Sequence, residues 1–273
     1  MRRFLLILMA CLVTPTWAAT LPYAVADRPL PVYNRAEAAA SGTAIRPDAC
    51  GQVRQLEFIA LTGTPFHIVR EAQIGQQHLF EVTSDAYHPP DGVRLFVSPD
   101  GLTRRATPAP LRRPPMPQPT ELLRRLRSAV GLPYVWGGNV RQGVTLGQGP
   151  RVYAGLDCSG LLYEASDGLT PRNTADLVRF GRAVPIAGLS RERLLNRLQP
   201  LDLIVWKGHV VVVLDNGQAI ESVLWCGRPG NGGVRITPLR RRLGTIMAVR
   251  KGADRWPADD EKPRLFVVRR WLP

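Results

Sequence analysis

Thirteen residues, Thr107 to Pro119, hold six prolines. No other stretch constrains the fold as strongly. Each proline fixes φ and lacks a backbone N–H, so the segment can form neither a helix interior nor the middle of a sheet. The run from 107 to 119 therefore reads as a linker between two parts of the 273-residue chain, each with its own core. With 45% apolar residues there is material for one large or two modest cores.

Before the linker, short β-prone segments at 55–61, 66–70, 78–83 and 93–97 are separated by Gly63-Thr64-Pro65, Gly75 and Pro89-Pro90-Asp91-Gly92. This spacing, without helical periodicity, predicts a small all-β barrel over residues 50–106. Residues 19–49 read as an arm leading into it. The stretch from Pro65 to Leu102 resembles a bacterial Src-homology-3-like domain.

After the linker the period changes. Thr120 is placed to cap a helix with Leu122, Leu123, Leu126 and Val130 on one face. A second helix is expected to start at Cys158 and stop at Asp167-Gly168, and a third follows Asn173. Three apolar strands then appear at 201–206, 209–214 and 219–224, joined by turns at Lys207-Gly208 and Asp215-Asn216-Gly217. Helices followed by an antiparallel meander predict an α+β unit over 120–252, with 253–273 as a tail.

The chain opens with Arg2 and Arg3, an apolar stretch from Phe4 to Val13, and small residues at Thr16 and Ala18. Residues 1–18 have the order of a secretory signal cleaved after Ala18 or Ala19, which implies a periplasmic or secreted protein with no stable membrane insertion. Processing at Cys11 as a lipoprotein is the rival reading. The net charge is +14, or +12 without Arg2 and Arg3, and arginine supplies 33 of the 36 basic residues. An exported protein rarely meets nucleic acid, so anionic cell-wall polymer is the better-matched partner. Oligomeric state is left open, and scattered arginines such as Arg240-Arg241-Arg242 also fit a compositional bias without function. Removal of the signal leaves Cys50, Cys158 and Cys226. In an oxidising compartment an odd number suggests one bridge, Cys50 with Cys226, and one thiol kept for chemistry; three unpaired thiols is the alternative. No cysteines and histidines cluster at zinc-ligand spacing, so neither metal nor cofactor is expected.

Cys158 lies in Leu156-Asp157-Cys158-Ser159-Gly160, and His209 is the only histidine in the last 185 residues. At the first turn of a helix, backbone N–H groups favour the thiolate form of a cysteine, which is the nucleophile. An imidazole brought near by the fold completes a nucleophile–base pair. Glu221, twelve residues after His209, is the candidate to orient it. A two-residue turn would put Glu221 on the opposite face of the strand pair from His209. A three-residue turn with Gly217 left-handed pairs Glu221 with Val211, on the same face and diagonal to His209, and this form is expected.

Tyr134-Val-Trp136-Gly-Gly138, Asp157-Cys158-Ser159-Gly160, Pro171-Arg172, Leu201-Asp202-Leu203-Ile-Val-Trp206 and the run from His209 to Gly217 resemble, in order, the NlpC-type cell-wall cysteine peptidases. The resemblance covers roughly residues 120–250 and implies a papain-like core, helices packed on an antiparallel sheet. It implies cleavage of the γ-D-glutamyl–diamino acid amide, commonly to meso-diaminopimelate, in peptidoglycan stem peptides or muropeptides. Cys158 matches the nucleophile, His209 the base and Glu221 the third position, while Tyr134, Trp136, Asp157, Ser159 and Arg172 fall at the substrate site. Some relatives carry an amino-terminal Src-homology-3-like domain that narrows the cleft to peptides with a free amino end. Three features depart from the pattern: glutamate where histidine is usual at the third position, a longer segment between Gly138 and Asp157 that could form a lid or specificity loop, and a short Lys207-Gly208 turn. Cys226 is also near enough in sequence to the third strand to threaten Cys158 by disulfide formation. The same dyad could serve an amidase of the muramoyl–L-alanine bond, and a spoiled triad would leave a cell-wall binding protein.

Overall fold

The β-prone segments before the prolines form one seven-stranded antiparallel sheet. In the computed structural model, which describes residues 21–41, 45–146, 149–257 and 264–272, it contains β1 (Tyr23–Ala26), β2 (Leu30–Tyr33), β3 (Leu56–Ala60), β4 (Pro65–Ile74), β5 (Gln77–Thr83), β6 (Leu95–Val97) and β7 (Leu102–Arg105). The order β3-β2-β6-β5-β4-β1-β7 leaves β3 and β7 as edges, with Phe58, Phe66, Phe80, Val82 and Val97 in the core. The residues expected as an arm thus supply two interior strands and α1 (Ala36–Ser41). Their inward residues include Ala24 and Ala26, too small to announce a strand by hydrophobic alternation. The proposed signal, residues 1–18, and its cleavage sites lie outside the described residues.

Past the prolines, α2 (Pro119–Ser128) starts one residue before the expected cap. Gln118 occupies the cap position and Pro119 the first turn, where its missing N–H costs nothing. Leu122 and Leu126 are buried as expected, but the helix ends before Val130, which is 46% exposed. Two short ribbons follow, β8 (Asn139–Val140) with β11 (Gly155–Leu156) and β9 (Val144–Thr145) with β10 (Arg151–Val152). Next come α3 (Cys158–Ala165), stopped at Asp167 and Gly168 in the left-handed region, and α4 (Thr174–Leu177), capped by Asn173.

The second sheet is built from β12 (Arg182–Val184), then after α5 (Arg191–Arg197) from β13 (Leu203–Trp206), β14 (His209–Val213), β15 (Gln218–Leu224) and β16 (Gly232–Pro238). After α6 (Leu239–Met247) come β17 (Lys251–Gly252) and β18 (Leu265–Arg270). The expected tail is therefore not peripheral: β18 lies between β12 and β13, with Phe266, Val267 and Val268 fully buried. Its apolar run is short and ends in Arg269-Arg270, whose guanidiniums are taken up by backbone carbonyls and by Asp202. Both faces of the sheet are covered, one by α2 and α3 through Leu126, Leu161 and Leu162, the other by α5 and α6 through Leu194, Leu243 and Ile246. Helices packed on an antiparallel sheet make the chain α+β.

A side-chain bridge and a disulfide are among the features that join the halves. The β3 edge is met by the buried Asn139 amide, which donates to Ile59 O and accepts from Ile59 N, each at 2.9 Å, as a neighbouring strand would. Cys50 and Cys226 form a disulfide. The pairing occupies Cys226, so the threat to Cys158 expected from sequence does not arise.

Candidate active site

Cys158 begins α3 because Asp157 caps it: Asp157 Oδ1 accepts from Gly160 N at 2.6 Å. Gly160 is required by close approach, since a Cβ there would stand 2.0 Å from the carbonyl oxygen of Gly138. That same carbonyl accepts from Asp157 N at 2.9 Å, which presses the helix start against the strand before it. Among the described residues Cys158 is the free cysteine, its Sγ 3.9 Å from the carbonyl oxygen of Gly208 in the β13–β14 turn.

Beneath the helix start Arg172 is 3% exposed and directs all five N–H groups into the protein: to Asn139, twice to Asp157, to Ser159 and to Gly138. Arg172 is among the residues lining the cleft over Cys158, and its guanidinium there has its donors committed to the protein, two of them to the Asp157 cap. The Ser159 hydroxyl, expected at the substrate site, is drawn into the same buried knot, donating to Asp157 at 3.2 Å.

His209 faces Cys158 from the start of β14. Lys207 and Gly208 form the two-residue turn that sets Trp206 opposite His209. The next turn has three residues, Asp215 to Gly217, with Asn216 and Gly217 left-handed and Leu214 N bonded to Gln218 O. Val212 opposite Ile220 puts Glu221 opposite Val211, the expected register, and His209 Nε2 lies 2.8 Å from Glu221 Oε2. With Nε2 so engaged, Nδ1 is the nitrogen for Cys158, with which the imidazole also hydrogen-bonds. Burial opposes a charge on His209, but hydrogen bonds and charge from Cys158 and Glu221 outweigh it and raise its pKa to about 9. Burial likewise pushes Glu221 up, and His209 and Arg242 overcome it, holding the carboxyl at about 2.

Glu221, 1% exposed, has two further partners that composition alone made look incidental. Arg235, directly across the β15–β16 ladder, reaches Oε1 at 2.9 Å; Arg242 on α6 reaches Oε2 at 2.7 Å. The available signal was positional: Arg242 falls between Leu239 and Leu243 on the buried face of α6.

The cleft over Cys158 has a volume of about 550 Å³ and is walled by both halves: Tyr134, Trp136 and Lys207 on one side, Glu57, Tyr87 and Pro89 to Asp91 on the other. Tyr134 and Trp136 are braced by Gln52, whose amide accepts from Trp136 N at 2.8 Å. Arg54 stacks over the Trp136 ring at 4.2 Å. Glu57 and Tyr87 were not singled out from sequence; Tyr87 stacks on Phe58 and donates to Glu57 Oε2 at 2.6 Å, while Asn34 donates to Oε1 at 2.6 Å. No described residue between Gly138 and Asp157 lines the cleft, and Tyr153 packs toward Tyr33, hydroxyl to hydroxyl at 3.2 Å.

Residues 131–228, which include Cys158, His209 and Glu221, match the NlpC/P60 family. Among curated relatives, peptidoglycan endopeptidase RipB of Mycobacterium tuberculosis is 34% identical over 128 residues, covering 44% of this chain and 47% of the relative. Peptidoglycan endopeptidase RipA of the same organism is 30% identical over 141 residues, covering 47% of this chain and 26% of the relative. The chain thus spans less than half the length of these relatives. Among solved structures, an NlpC/P60 family protein from Bacillus cereus aligns over 92% of this chain and 63% of its own at 19% identity and a TM-score of 0.35. The M. tuberculosis peptidoglycan hydrolase RipB aligns over 57% and 65% at 30% identity and a TM-score of 0.33.

Proposed function

We propose, from the NlpC/P60 family domain formed by residues 131–228, that this chain is an exported cysteine peptidase of peptidoglycan stem peptides, acting on the γ-D-glutamyl–diamino acid amide. The observation that carries the reading is the chain of contacts from Cys158 through His209 to Glu221 at the floor of an open cleft.

In this reading the Cys158 thiolate attacks the amide carbonyl, and the oxyanion is received by the N–H of Cys158 at the start of α3. His209 gives its proton to the leaving amine as the C–N bond breaks. It then takes a proton from water, whose oxygen attacks the thioester and releases Cys158. Glu221 touches neither substrate nor thiol and is a positioning residue for the imidazole.

The amino-terminal half supports a further selection. Glu57 puts a carboxylate, steadied by Asn34 and Tyr87, in the cleft wall facing the catalytic half. It is suited to the free α-ammonium of L-alanine, which favours released peptides over stems still joined to muramic acid.

Mass spectrometry of defined stem peptides tests the reading. Wild type should cleave after γ-D-glutamate and Cys158→Ala should not. Release of muramic acid from L-alanine would instead indicate an amidase, and no cleavage of any peptide by reduced, folded wild type would indicate a binding protein.

A further inference from the structure

Glu221 carries more positive charge than orienting a histidine requires. Arg235 turns Nε and Nη2 to Oε1 at 3.3 and 2.9 Å, and Arg242 turns Nε and Nη2 to Oε2 at 3.0 and 2.7 Å, the oxygen that also holds His209. Neither guanidinium lines the cleft, so neither reaches substrate. Both are themselves held: Arg235 lies over the Trp225 ring at 4.0 Å and Arg242 donates to Thr245 Oγ1 at 3.0 Å. Two guanidiniums on one buried carboxylate exceed what neutralising it needs.

We infer that Arg235 and Arg242 are positioning residues that fix the Glu221 carboxylate and offset part of its charge, so that the glutamate orients His209 while raising its proton affinity less than a bare carboxylate would. A bare buried carboxylate at Nε2 would raise the proton affinity of the imidazole and slow transfer of the Nδ1 proton to the leaving amine. Shared with two guanidiniums, the carboxylate keeps its geometry and gives up part of its field. The inference rests on the proposed role of His209 as proton donor.

Other charged or titratable groups around the imidazole are Cys158 from α3, Lys207 in the preceding turn, and Arg250, which stacks at 4.5 Å on Trp206, the ring beside His209. The signature of this offset is therefore a pair of opposite effects: removing Glu221 weakens proton binding by His209, whereas removing either arginine strengthens it.

NMR titration of the His209 imidazole in the full chain reads this without substrate, and so decides the clamp even if no peptide is cleaved, an outcome that would count against the proposed function alone. Arg242→Met and Arg235→Met are expected to move the midpoint upward by about one unit, and Glu221→Gln to move it downward. In kinetics, Arg242→Met is expected to lower kcat on the order of tenfold with KM nearly unchanged, and Arg242→Lys to recover part of the loss. Arg235→Met carries the test if Arg242→Met does not fold. Midpoints unchanged or lowered in the arginine variants, or a raised KM with kcat intact, would overturn the inference.

Discussion

His209 Nε2 lies 2.8 Å from Glu221 Oε2 because a three-residue turn, not a two-residue one, joins their strands. One residue fewer would turn Glu221 to the other face of the sheet and leave the imidazole without its partner.

The pH profile should reflect this contact. His209 keeps its proton to about 9, so kcat/KM is expected to hold through neutral pH and fall on the alkaline side near that value. Removing the negative charge in Glu221→Gln should bring the alkaline limb to lower pH. An unmoved limb in the variant would show that Glu221 does not act on the base.

Stability should depend on the same carboxylate. Its folded pKa is about 2, depressed from the ordinary glutamate value of 4.5, so its stabilisation is fully present above about 4.5 and is lost as pH falls through about 2. Glu221→Gln leaves two arginines facing an uncharged amide and should cost about 3 kcal/mol at neutral pH. Chemical denaturation of both proteins is expected to show the difference shrinking between about pH 4.5 and 2.

Cys50 and Cys226 close a loop across 176 residues of sequence and anchor the segment from which Gln52 braces Tyr134 and Trp136. Replacing both by serine should lower unfolding free energy by about 2–4 kcal/mol. Because the bridge supports the cleft wall and not the dyad, KM should rise more than kcat falls.

Glu57→Gln should weaken cleavage of peptides with a free L-alanine amine on the order of tenfold or more in kcat/KM, while muramic-acid-capped peptides change little. Parallel assays of the two substrates decide it. An equal loss on both would make Glu57 structural.

Much of the second half was legible because its signals are local. Asp157 caps, Asp167-Gly168 stops a helix, and the apolar run from His209 can only be a buried strand. Three things were not legible, each for a physical reason. The inward alanines of β1 give too little contrast for alternation, β18 pairs with β13 and β12, which lie some sixty and more than eighty residues earlier, and the Arg235–Glu221–Arg242 cluster exists only once a ladder and a helix face converge. Arg172 shows that a motif does not reveal hydrogen-bond partners: it lines the cleft, yet its guanidinium is turned to Asn139, Asp157, Ser159 and Gly138.

The most direct measurement is intact-protein mass spectrometry of wild type mixed with an excess of L-alanyl-γ-D-glutamyl-diaminopimelate and quenched with acid during turnover. A covalent Cys158 mechanism predicts an L-alanyl-γ-D-glutamyl adduct that maps to the peptide containing Cys158 and is absent from Cys158→Ala. Hydrolysis that proceeds in Cys158→Ala at the wild-type rate, with no adduct on either protein, would contradict it.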